Sequence, residues 1–107
     1  VEAKKLISPT VMGSQQFGSS VTAWHKGIVV GAPTDAPLGL SSAGCAYQFK
    51  CLGEDWCFID PVTSHDAAAG DEFGEVAMHG YISVYGARHA DHSECTNAGA
   101  AYVVLLP

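Results

Sequence analysis

The stretch SQQFGSSV, residues 14–21, returns in altered form as GDEFGEVA, residues 70–77. An internal echo of this kind decides architecture before any local motif does. Phe17-Gly18 recurs as Phe73-Gly74 after 56 residues, and Gly31-Ala32 recurs as Gly86-Ala87 after 55. Gly44-Cys45-Ala46-Tyr47 recurs as Gly99-Ala100-Ala101-Tyr102, again after 55. The single lost residue falls between the FG pair and the following valine, where FGSSV shortens to FGEV. Three landmarks in one order set a repeat period of 55 or 56 residues.

Each landmark sits on a strand-like run. The first copy reads SSVTAW, GIVVGA, CAYQFKC and WCFIDPV, with the polar loop PTDAPLGLSSAG between its second and third runs. The second copy reads EVAM, YISVYGA and AAYVVLL, with RHADHSECTNAG as the corresponding loop and no fourth run after it. The missing run is found at the other end, since a shift of 56 lays AKKLISPT (3–10) over IDPVTSHD (59–66). Residues 1–13 are therefore read as the fourth strand and exit loop of a neighbouring or closing blade, 14–63 as the first repeat, and 64–107 as a second repeat without its own fourth strand. HDAAAGD is too short and too Gly-flanked to stand as a helix. The expected fold is all-β and of β-propeller type, two four-stranded antiparallel blades with strand order 4-1-2-3-4-1-2-3.

FGSSV…IVVGAP…GCAYQF and AGDEFGEVA…SVYGA…GAAYVV resemble the FG-GAP repeat of integrin α-chain propellers and of many secreted or surface proteins. The resemblance covers essentially the whole chain. It implies a non-enzymatic module for protein recognition or adhesion, and an extracellular or otherwise oxidising compartment. Integrin-like repeats can carry a calcium site of alternating aspartates in the 1-to-2 loop, but TAWHKG and AMHGYI have no carboxylate there, so that site is not carried over. Two blades cannot close a ring of the usual four to eight. The expected partners are therefore other protein chains, in a homo-oligomer or a larger complex, which would also cover exposed strand edges. Two other readings stand beside this one: a sugar-binding propeller with pockets between blades, and a purely structural subunit of a large assembly.

Charge narrows the partners further. Eleven acidic residues against five basic ones give a net charge of −6, with Arg88 the only arginine, so nucleic acid is not expected. No apolar run is long enough for a membrane span. VEAKKLIS has neither the charged n-region nor the hydrophobic h-region of a secretion signal, so any such signal is expected to have been removed.

Four cysteines in a small all-β chain favour an oxidising compartment. Cys51 and Cys57 flank LGEDW, and a hairpin tip at Gly53-Glu54-Asp55 would set them face to face as a disulfide. Cys45 and Cys95 would pair only where adjacent blades bring their ends together. Antiparallel order sends the long 2-to-3 and 4-to-1 loops to one end and the short turns to the other, so the long-loop end is the expected ligand face. Candidate ligand-binding residues are His89, Asp91 and His92 of HADHSEC and Asp35 of the equivalent loop, together with Trp24 and His25 at the first short turn. His89, Asp91, His92, Glu94 and Cys95, near His65 and Asp66, match no standard metal-ligand spacing and read as a solvated loop. No GxSxG elbow, phosphate-binding loop or dinucleotide fingerprint is present, so neither a catalytic residue nor a cofactor is expected.

Overall fold

Alternating apolar and polar residues, broken by Gly- and Asp-rich turns, fold into strands throughout the computed structural model, which describes residues 5–9, 16–64, 66–91 and 98–105. The strands are β1 (Ser20–Trp24), β2 (Gly27–Ala32), β3 (Cys45–Leu52), β4 (Asp55–Val62), β5 (Phe73–His79), β6 (Ile82–Ala87) and β7 (Ala100–Leu105), with a 3₁₀ turn at Pro37–Gly39. They form two antiparallel meanders, a four-stranded sheet in the order β1-β2-β3-β4 and a three-stranded sheet in the order β5-β6-β7. Each repeat thus builds one sheet. Residues 5–8, where a fourth strand of a neighbouring blade is expected, carry no strand assignment, and the rest of that segment lies largely outside the described residues.

The hairpins are tight. Trp24 pairs with Gly27 across His25-Lys26, and His79 pairs with Ile82 across Gly80-Tyr81. The β3–β4 turn is one residue shorter than expected: Leu52 pairs with Asp55 across Gly53-Glu54, so Cys51 faces Trp56 and Cys57 faces Lys50. Because side chains alternate faces, this one-residue change of register puts Cys51 and Cys57 on opposite sides of the sheet. The expected Cys51–Cys57 bridge is therefore corrected to two free thiols, and Cys45 is likewise free. Cys95 lies outside the described residues. A bulge follows further along, where Gln48 pairs with Asp60 but Phe49 with Phe58, leaving Ile59 unpaired.

The apolar residues form two layers. One lies between the sheets, where Val29 and Ala46 of the first meet Phe73, Tyr85 and Ala87 of the second, with Val62, Ala100, Tyr102 and Val104 at its margin. The other lies on the far face of the first sheet: Val30, Ala32, Cys45, Tyr47 and Phe49, packed by Phe17, Ile28, Trp56 and Leu6. A shift of 55 lays Val30, Ala32, Tyr47 and Phe49 over Tyr85, Ala87, Tyr102 and Val104. The two layers are the same layer, used once per repeat.

Candidate interaction site

The contact between the sheets explains why the landmarks are glycines. A Cβ at Gly31 would overlap the carbonyl oxygen of Gly74, and one at Gly44 would overlap Phe73. Backbone meets backbone at this seam, so neither Gly31 nor Gly44 can carry a side chain, and Gly44 additionally sits at φ 89°. The FG of the second repeat therefore docks on the GA of the first. Main-chain hydrogen bonds extend the seam along the loops, from Gly70 N to Ser41 O (2.8 Å), Glu72 N to Ser42 O (2.9 Å) and Phe73 N to Ala43 O (2.9 Å). Between β1 and β5, the Ser20 hydroxyl accepts the Val76 amide at 3.0 Å. Phe73 completes the joint by stacking on Tyr85, with ring centroids 5.2 Å apart and planes 13° from parallel.

Among the described residues, nothing covers the outer face of the second sheet in this way. Ile82, Val84, Val103 and Leu105 stand on one side of it in two cross-strand pairs, Val84 with Val103 and Ile82 with Leu105. Val103 is 67 % exposed and Leu105 74 %, and Val84 is 38 % exposed where its counterpart Val29 is 2 %. Gln48 and Lys50, the counterparts of Val103 and Leu105, are polar, so the open face is more apolar than its equivalent on the first sheet. Among the described residues, the outer edge of β7 has no strand beside it. Contiguous apolar surface beside an unpaired edge is what an interaction face presents.

The long-loop end holds part of the expected ligand set, in altered roles. Asp35 is 5 % exposed, and its carboxylate accepts the Tyr47 hydroxyl and the Ala36 amide, so it holds the loop together rather than facing outward. That carboxylate also acts on Cys45. Burial first, and the Asp35 charge second, push the thiol up to about 11. His89 and Asp91 are exposed, and His89 lies 3.6 Å from Glu72, which also binds Arg88 at 3.1 Å. Asp91 lines a cavity of about 370 Å³ with Asp66, Asp71 and Tyr102. The Tyr102 hydroxyl donates to Asp66 at 2.7 Å. Desolvation and that carboxylate raise its pKa. His92, His65 and Glu94 lie outside the described residues.

The hairpin end gathers Trp24 and His25 as expected, with neighbours that the sequence reading did not single out. Trp24 meets His25 edge-on at 5.1 Å and His79 at 4.2 Å. Trp24 and His25 border a cleft of about 750 Å³, lined also by Val29, Met78 and Tyr81. The equivalent positions of TAWHKG and AMHGYI in the repeat were the signal that would have placed His79 beside Trp24. Asp35 and the Trp24–His25 pair lie at opposite ends of the sheet, so the candidate residues do not form one site.

Among the described residues no group of three or more His, Cys, Asp or Glu is arranged to hold a metal ion, and no helix is long and apolar enough to cross a membrane. A family model described as the FG-GAP repeat matches residues 1–49 and again residues 56–104. No curated protein and no solved structure matches the chain.

Proposed function

Because the chain belongs to the FG-GAP repeat family, whose repeats are typically extracellular, non-enzymatic binding modules, we propose that it is a protein-recognition and adhesion module working inside an oligomer or a larger complex. The observation that carries this reading is the outer face of the second sheet, where Val84, Val103, Ile82 and Leu105 stand open beside an edge of β7 that no strand among the described residues pairs. A sheet with one apolar face in water and one free edge is incomplete, and another β-unit completes both at once. Recognition of the final target falls to the long-loop end, where His89 and Asp91 are exposed. Secretion or surface display fits the family.

A second reading has its own support: Trp24, His25 and Tyr81 border the 750 Å³ cleft between the sheets at the hairpin end, and aromatic rings at a cleft suit a sugar. Two measurements separate these readings. Sedimentation velocity at micromolar concentration should give a native mass above the 11.1 kDa of one chain, and a glycan array should stay blank. A monomer with native β-type circular dichroism would overturn the assembly reading, and a saturable array signal lost in Trp24→Ala would replace it by sugar binding.

A further inference from the structure

We infer that the open face of the second sheet is one half of a joint whose other half is carried by the first sheet of a second copy of this chain, joined head to tail. The inference rests on the assembly reading above and names its partner and contacts. The internal joint supplies the template: Gly31 against Gly74, and Gly44 against Phe73. By the repeat, Gly86 and Gly99 stand for Gly31 and Gly44, while Gly18 and Phe17 stand for Gly74 and Phe73. Both halves are present in one molecule, and among the described residues nothing fills either. Among the described residues, a Cβ at Gly18 would meet nothing within 4 Å and one at Gly86 only the Glu75 Cβ at 3.5 Å, while the nearest atoms to one at Gly99 are backbone of residues 87 and 88, from 3.4 Å. The local frame is also kept, since the Gly99 amide donates to Ala90 O at 2.8 Å as the Gly44 amide donates to Asp35 O at 3.1 Å.

The valines agree with the glycines. Val76 of β5 packs into the layer between the sheets, whereas its counterpart Val21 of β1 is 62 % exposed. The counterparts pair alike in their hairpins, Val76 with Tyr85 and Val21 with Val30. The N-terminal segment completes the match. Leu6 packs against the layer of the first repeat as Val62, 56 residues later, packs against the layer of the second. Val62 pairs with Ala46 of β3, so Leu6 of the second copy falls beside Ala101, the Ala46 counterpart on the free edge of β7. One docking event thus covers the Val84–Val103 face, fills the space over Gly86 and adds a strand to β7. Because the two halves are different surfaces, the contact is heterologous, and it propagates to a ring or to a filament.

Two variants test the polarity of the joint. Gly86→Val fills one half and Val21→Glu charges the other, both at positions open in the isolated chain. Each should keep the wild-type circular dichroism spectrum and sediment at the mass of one chain where the wild type sediments above it. An equimolar mixture should sediment at twice that mass and no higher, because each variant keeps the half that the other has lost. If Gly86→Val fails to fold, Val103→Glu blocks the same face. Variants that retain the wild-type mass, or a mixture that stays monomeric, would overturn the joint and leave the assembly reading standing. A monomeric wild type would remove both.

Discussion

The two sheets come from one repeat and differ in what covers them. In the first, Val30, Ala32, Tyr47 and Phe49 lie beneath Phe17 and Leu6 on one face, while Val29 and Ala46 lie beneath the second sheet on the other. In the second, Phe73, Tyr85 and Ala87 are enclosed, yet Val103 and Leu105 face water. Equivalent residues therefore have different burial for reasons outside their own repeat. A repeat of this kind takes half of its core from a neighbour, and the neighbour's position decides which of its residues behave as interior.

Paired substitutions sharpen this contrast. Gly31→Val forces a side chain into the Gly74 backbone and should cost about 4 kcal/mol or more, enough to unfold a small domain. The same change at Gly86 should alter stability by no more than about 0.5 kcal/mol, since among the described residues its Cβ would meet only the Glu75 Cβ, at the ordinary contact distance of 3.5 Å. Chemical denaturation of the two variants checks the pair, and equal losses would mean that the glycines do not differ as the two sheets do. Next in size, Phe73→Ala should cost about 3–5 kcal/mol by emptying the layer between the sheets, and the half-buried Phe17 about 1–2.

The cysteines sharpen the comparison through pH. Cys45 has its thiol pushed up to about 11 from 9.0, so folding favours the neutral thiol. Its contribution is fully present below pH 9 and is lost as pH rises toward 11, because the unfolded chain ionises first. Cys45→Ala should flatten that alkaline fall in melting temperature. Iodoacetamide at pH 8 should alkylate Cys51 and Cys57 well before Cys45, as mass spectrometry of the intact and digested chain would show. The smallest effect concerns Tyr85, whose hydroxyl is buried with no hydrogen-bond partner among the described residues. Tyr85→Phe should be neutral or stabilise by up to about 1 kcal/mol, whereas Tyr47→Phe, which removes the donor to Asp35, should destabilise by about 1–2.

Strand placement was legible because it rests on alternation and turn residues within a few positions of each other. SSVTAW, GIVVGA and CAYQFKC fall on β1, β2 and β3 to within one residue at each end. The β3–β4 register was not legible. GED permits a tip of two or three residues, and only the packing of Phe49 against Phe58, at 5.8 Å, shows which face each side chain takes. Asp35 read as a ligand-face residue because its loop is polar, but Tyr47, twelve positions away, draws its carboxylate inside. The glycine seam lay beyond reach for the same reason: a landmark glycine announces that something approaches closely, and only the assembled sheets show that it is the backbone of Gly74.

That seam has a mechanical consequence. The sheets touch most intimately where β5 lies over β1 and β2, and β4 reaches the shared layer at Val62, with the cleft beside Gln48, Lys50 and Ile59 open between them. The joint is therefore a wedge, thin where Gly31 meets Gly74 and thicker where Tyr85 and Tyr102 fill the layer between the sheets. A stack of identical wedges cannot run straight. Repeating this joint would swing each new sheet about an axis beside β1 and β5, and the side-chain volume at the thick edge would set how many units complete the turn.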